Sequence, residues 1–495
     1  MRAFFGPLLL HVGFLTAGLG VLRSAGIVET VWSLKTVAVA GLAYLMGIVT
    51  VIASAIVLLV IGIPYTQVTI ALLIVAFTAL VGPAALRGRP SFRPVLGLNP
   101  AALTRRVRAM PAEHIALGVI LLAFIALAVI GLYSVSDRPI GTGEYDAWNL
   151  WARKANLFFQ GSHLPTEVLK SPREGYIQSY YPLLLPLLDA AHLRAMGVLD
   201  DRSVHVVEWL LLVSWVFAGI YLSRRATRSV VAAAMFCGAA VLMIQTVLTA
   251  YADVPSALFA SLGILALGLW IEHRKRGDLI VATVLLIGAT NVKNEGAVGT
   301  AVALAAAAAI LLFTRERRRL RELALAVGAI LAIGVLPWRL WLAANGIHGD
   351  HSFGKSIDVS FLIDHRSRVW PAVKALVTQI QPSTFDPRMF VPIGLAVTLV
   401  GLGTRNRRRP ISAYYLAVGL LYFVGLLWGY WTSPFTGSLY DGQVFTTVVR
   451  ITIGLGLIGL VAVLHVGGIQ STGIRDQAAS PPSESGQGRV PSAQA

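Results

Sequence analysis

EHIALGVILLAFIALAVIGLY, residues 113–133, reads as a membrane-spanning helix. After Glu113 and His114 it holds no charged side chain, and about 20 such residues in a helix rise about 30 Å, the thickness of the hydrocarbon layer. Comparable runs recur near 4–22, 36–62, 66–86, 203–222, 229–249, 254–271, 323–343, 388–404, 411–430 and 446–466. They are continuous rather than alternating, which argues against barrel strands. The whole chain agrees: 56% of its 495 residues are hydrophobic and 13% charged, with a mean hydropathy of +0.72. The expected fold is an all-α polytopic membrane protein.

The formal net charge is +17, yet its distribution does not suggest nucleic acid. Arginines gather in short clusters between apolar runs, at Arg87–Arg108, Arg224–Arg228, Arg274–Arg276, Arg315–Arg321 and Arg405–Arg409. That is the positive-inside pattern, and no basic soluble domain accompanies it. Cys237 is the single cysteine and lies in an apolar run, so disulfides and thiolate metal sites are excluded. Arg2 and the run from Phe4 to Val21 could be read as a signal peptide. No small-residue cleavage site follows, and the run is kept as a membrane segment.

With each basic cluster placed in the cytoplasm, the spans alternate consistently. Residues 1–90 hold the N-terminal helices, 91–112 a basic cytoplasmic loop, 113–466 the main membrane core and 467–495 a disordered cytoplasmic tail rich in Ser, Pro, Gly and Gln. The stretch 278–313 holds barely enough residues for two crossings, so two short helices meeting at Asn291–Gly296 are expected. The total is then about thirteen spans. Outer loops cover 134–202 and 344–387, the second with an amphipathic patch around Phe361–Val377 suited to the interface.

The first outer loop contains GTGEYDAWNLWARKANLFF, residues 141–159. Glu144 and Asp146 are carboxylates one residue apart behind two glycines. A helix starting near Asp146 would put Asn149 and Arg153 on its face, with Trp148, Trp151 and Ala155 as a neighbouring apolar stripe. Alone, this stretch leaves two readings open: a catalytic acid pair, or an N-cap beside an interfacial tryptophan belt. Other polar groups fall on the same outer side. They are Tyr180–Tyr181–Pro182 with Asp189 and His192 beyond, Tyr251–Ala252–Asp253–Val254–Pro255, Asn291–Val292–Lys293–Asn294–Glu295–Gly296, and Arg450 at the start of the last span. Ionisable groups beside apolar spans are costly and usually have a partner or a task. Their recurrence on one side reads as a shared site.

The block GEYDAWNLWARKA followed by YPLLLPLL, YADVP and KNEG resembles the GT-C superfamily of membrane glycosyltransferases. Within it, the chain looks most similar to family 39-like bacterial enzymes related to protein O-mannosyltransferases and lipid A aminoarabinose transferases. The resemblance spans roughly 113–460 in order of motifs. It implies a GT-C-like core with an outer-face catalytic loop, in a bacterial inner membrane with the active site facing the periplasm or exterior. It also implies transfer of a sugar from a polyprenyl-phosphate donor to a glycan, lipid or protein hydroxyl, with inversion. Asp146 matches the family's first-loop acid and general base, assisted by Glu144, and Asp253 the second acidic motif. Lys293 and Arg450 become candidates for the donor phosphate, supported by Arg153 and Lys154, with Tyr181 and Glu295 at the substrate. A divalent cation, if any, would sit on Glu144 and Asp146. Where the family often carries His and Ser before the terminal Arg, this chain has Gln443 and Thr447. His348–Gly349–Asp350–His351 is read as a polar loop. The alternative reading is a polytopic transporter or lipid-linked-sugar flippase.

Overall fold

The computed structural model describes residues 2–27, 34–80, 111–140, 146–171, 179–224, 226–227, 229–347, 359–380, 386–404, 408–432 and 437–468. Among the described residues there is no strand. The chain begins with α1 (Arg2–Ser24), α2 (Leu34–Val60), α3 (Gln67–Ala79) and α4 (Ala112–Val135). A π-helical turn at Ala147–Ala152 runs into α5 (Arg153–Gln160), followed by α6 (Leu184–Met196) and α7 (Val204–Ser223). Next come α8 (Ser229–Val247), α9 (Asp253–His273), α10 (Arg276–Val292), α11 (Asn294–Phe313) and α12 (Arg317–Ala329), which passes through a π turn into α13 (Leu336–Ala344). The set closes with α14 (Val369–Ile380), α15 (Phe390–Gly403), α16 (Arg408–Trp431) and α17 (Gly437–Ala462).

Among the described residues ten helices are long and apolar enough to cross a membrane, and this is a multi-pass membrane protein. Two further apolar helices, Gln67–Ala79 and Pro387–Gly403, are shorter than that criterion. The pair expected within 278–313 is present, though its second helix reaches full spanning length: α10 ends at Val292, Lys293 alone is extended, and α11 starts at Asn294. The two helices run antiparallel, since Thr300 Oγ1 donates to Leu286 O and Gly296 lies against the Ala289 carbonyl. Residues 91–110, His348–His351 and the tail beyond Gly468 lie outside the described residues.

The middle of the bundle is α9, in which every residue from Asp253 to Ile271 is buried. Its sequence is apolar on all sides and rich in Ala, Ser and Gly, which lets neighbours approach from every direction. Glycines set other crossings. Gly18 of α1 packs on the Ala43 carbonyl while Gly47 of α2 packs on that of Phe14. A Cβ on either glycine would overlap the opposing backbone.

The loop expected over 134–202 is partly a buried helix. Leu184 through Leu193 of α6 are all buried. Tyr65 Oη donates to Leu187 O at 2.5 Å, and the Arg194 guanidinium donates to the carbonyls of Tyr65 and Gly161. Its apolar run is too short to span a bilayer but long enough to plug between α1, α2 and α7. Over 359–380 the amphipathic patch is broken at His365 into short helices. Trp370 is 73% exposed, while Ala372 and Leu376 are buried.

The described basic residues at Arg224, Arg274–Arg276 and Arg315–Arg321 share one end of the bundle. Gly277 lies against the Ala25 carbonyl, Gly468 against that of Ala226, and Gly401 against Val466. Glu272 accepts from His465, and Arg274 pairs with Glu316. Asp253, Lys293 and Arg450 come together at the opposite end of the same helices.

Candidate functional site

The chain between α8 and α9 reverses in a few residues, with Ala250 at a φ of +57°. Left-handed backbone at a residue with a Cβ costs about 1 kcal/mol or more, and such strain tends to collect at functional sites. The reversal delivers Tyr251 and then Asp253, the first residue of α9, where the helix dipole favours a carboxylate. Lys293, extended between α10 and α11, donates from Nζ to Asp253 Oδ1 at 2.6 Å and lies 3.3 Å from Glu295 Oε1. Both partners of the first pair are buried.

Arg450 arrives from α17. Its Nη1 is 3.8 Å from Asp253 Oδ2 and its Nη2 donates to Asp146 Oδ2 at 2.7 Å. Its guanidinium carbon stands 4.1 Å from the centre of the Tyr251 ring, a cation–π contact that the sequence reading did not identify. The order Lys293, Asp253, Arg450, Asp146 is therefore an alternating chain of charges drawn from four separate parts of the sequence. Alternation makes burial tolerable: each charge removed from water meets an opposite charge within about 4 Å.

The π turn after Asp146 redirects the following helix. An extra residue in the turn rotates what comes after it, and Lys154 rather than Arg153 becomes the buried cation. Trp148, expected in an apolar stripe with Trp151 and Ala155, is 54% exposed while those two are buried. Arg153 is only partly buried. Lys154 Nζ donates to Tyr181 O at 3.5 Å and stands 5.7 Å from the Trp151 ring centre and 5.9 Å from that of Tyr181. Lys293 Nζ lies 5.9 Å from the same Tyr181 ring. The Tyr181 ring thus lies close to both ammonium groups. Burial brings the Lys154 ammonium down to about 7 and pushes the Tyr181 phenol well up.

The site therefore unites Asp146, Lys154, Tyr181, Asp253, Lys293, Glu295 and Arg450. Glu144 and the side chain of Gln443 lie outside the described residues. Thr447 Oγ1 is 2.9 Å from Tyr430 Oη, which binds the start of the last span to α16. Asp189 and His192 do not join the site; His192 bonds instead to His11. Arg339, not singled out in the sequence, donates to Asn294 Oδ1 at 2.6 Å and to Tyr180 O at 3.5 Å. Its signal was a lone arginine inside the apolar segment LPWRLW.

Several polar atoms here are unspent. Arg450 Nε and Nη1 and Glu295 Oε2 are buried with no hydrogen-bond partner among the described residues. Beneath them Asp253, Ser256, Glu295, Gly296 and Tyr422 line a cavity with space for about one water molecule. An apolar groove of about 300 Å³ runs alongside, walled by Val391, Gly394, Gly419, Phe423 and Gly459. The two share Ile458. Among the described residues no group of three or more His, Cys, Asp and Glu side chains is arranged to hold a metal ion. Of the two carboxylates expected to hold a divalent cation, Asp146 is engaged by Arg450 and Glu144 lies outside the described residues. No family model matches the chain, and neither a curated protein nor a solved structure is significantly similar to it.

Proposed function

We propose that this protein is a membrane glycosyltransferase that moves a sugar from a polyprenyl-phosphate donor to an acceptor hydroxyl, with inversion, on the side of the membrane opposite its basic loops. The observation that carries the reading is the charge chain Lys293–Asp253–Arg450–Asp146, with Arg450 donors left unspent beside it. The positive-inside tendency assigns the basic end to the cytoplasm and this chain to the outer face; a bacterial inner membrane is the setting that the motif resemblance implies.

Such a transfer asks for two things at once. A carboxylate must take the proton of the acceptor hydroxyl, and cations must hold the phosphate as it leaves. Asp146 is the base. Arg450 orients it through Oδ2, leaving Oδ1 for the acceptor. As the acceptor oxygen bonds to the anomeric carbon, the bond from that carbon to the phosphate oxygen breaks. The electron pair departs with the lipid phosphate, and the hydroxyl proton passes to Asp146. The unspent Nε and Nη1 of Arg450 receive the phosphate oxygens, with Lys293 adding charge behind them. Asp253 keeps both cations in place. The apolar groove has the size and lining to take isoprenoid units of the donor.

The test is direct: purified protein is incubated with polyprenyl-phosphate sugars and membrane extract, and products are identified by mass. A glycosidic product lost in Asp146→Asn supports the reading. Movement of lipid-linked sugar across vesicles with no new glycosidic bond would replace it with a flippase.

A further inference from the structure

A second group of buried titratable side chains lies away from the site, where α1, α2, α6 and α7 meet. Tyr44 Oη is 2.8 Å from His11 Nδ1, and His11 Nε2 is 3.0 Å from His192 Nδ1. Asp189 is one helical turn before His192 on α6, and Glu208 is on α7, which packs on both α2 and α6. All but Tyr44 belong to the most costly residue types to immerse in a membrane bundle, and His11, Asp189, His192 and Glu208 are each at most 9% exposed.

Hydrogen bonding is incomplete in a specific way. Both carboxyl oxygens of Glu208 and Oδ1 of Asp189 are buried without a hydrogen-bond partner among the described residues. Neither acid makes an ion pair there. The nearest strong cation on these elements, Arg194, spends its guanidinium on the carbonyls of Phe159, Gly161 and Tyr65 and stands over the Tyr65 ring. Lys154 on α5 faces Tyr181, and Lys293 at the end of α10 is held by Asp253. With both acids ionised and both imidazoles neutral, the pocket would carry two negative charges against no positive one. The desolvation penalty of such a state is several kcal/mol per ion.

We infer that this cluster is a proton-binding site: it holds one proton beyond the state of ionised acids and neutral imidazoles, shared between the Glu208 carboxyl and the His11–His192 pair. On Glu208, where it rests at neutral pH because both oxygens are buried and unpartnered among the described residues, the proton makes a neutral acid. Moved to the pair it makes an imidazolium that offsets the charge of one carboxylate. Both arrangements remove one of the two uncompensated charges. The site also has an outlet. The helix bearing Asp189 and His192 starts three residues after Tyr181 and packs on α5, which carries Lys154. Occupancy of the proton site therefore bears on the wall of the charged centre. The inference does not depend on the transferase reading.

Infrared difference spectroscopy on the purified full-length chain tests it without any sugar substrate. The expected result is a protonated-carboxyl C=O band at neutral pH that shifts on deuteration and is lost in Glu208→Gln, with Asp146→Asn leaving it in place. A wild-type spectrum without such a band, or a band kept in Glu208→Gln, overturns the assignment. Should Glu208→Gln fail to fold, carboxyl-13C glutamate in the wild-type chain moves the same band to lower frequency. A band that does not move is not a glutamate and sinks the inference. Asp146→Asn abolishing transfer while the band is absent would leave the transferase standing and this site refuted.

Discussion

Arg450 Nη2 donates to Asp146 Oδ2 at 2.7 Å across 304 residues of sequence. The bond joins the segment that follows α4 to the last membrane helix and holds in place the acid that we assign as the base.

Asp146→Asn preserves size and the contact with Arg450 but removes the basic lone pair. Sugar transfer should fall about 100-fold or more, with the melting temperature in detergent nearly unchanged. A product formed at the wild-type rate would remove Asp146 from the mechanism.

Arg450→Lys keeps the charge and loses the planar fork that reaches Asp146 and Asp253 together. Transfer should drop about tenfold or more, because one charged hydrogen bond is worth about 1.5–3 kcal/mol. Full activity with lysine at this position would show that a point charge suffices.

Asp253→Asn takes from buried Lys293 its closest carboxylate and leaves it Glu295 at 3.3 Å. Breaking a buried pair from one side costs about 3–5 kcal/mol, so the variant should melt well below wild type. The double variant Asp253→Asn with Lys293→Met should recover part of that loss. Additive losses in the double variant would mean that the two side chains are not coupled.

Lys154 gives a pH signature. Its amine loses the proton near pH 7 in the folded chain and near 10.5 when unfolded. Between those values the unfolded chain binds more protons, so folding stability should rise with pH from about 7 upward. The gain is absent below the folded value, where both states are charged. Melting curves from pH 7 to pH 10 should show this slope, and Lys154→Met should flatten it. An unchanged slope in the variant would place its origin elsewhere.

Gly47→Leu should separate α1 from α2, since any Cβ at Gly47 meets the Phe14 backbone. Overpacking of this kind costs about 1–3 kcal/mol. Faster limited proteolysis near the α1–α2 connection reads it out.

Much of the architecture was legible along the chain. Apolar runs of spanning length, punctuated by arginine clusters, place helices and connections because hydrocarbon leaves no other solution for backbone polar groups. The pair α10–α11 could be read because 278–313 lies between two basic clusters and contains the polar string NVKNEG. The acid and base residues were recognisable as types out of place beside apolar spans. What stayed hidden were features whose signal is not periodic. The π turn at Ala147–Ala152 put Lys154 inward instead of Arg153, and a one-residue rotation leaves no trace in a hydropathy pattern. Nothing in the motif YADVP indicated that the Tyr251 ring would sit against the Arg450 guanidinium. The burial of α6 could not be inferred from a run too short to span.

Sequence alone determined that this chain enters a membrane as a set of helices and where its ionisable side chains interrupt them, because transfer free energy depends on local composition. Only the tertiary structure decided which of those charges neutralise one another. Pairing between Arg450 and Asp146, or Lys293 and Asp253, depends on helix rotation and depth, and those are settled by glycine crossings and side-chain packing between segments far apart in the chain.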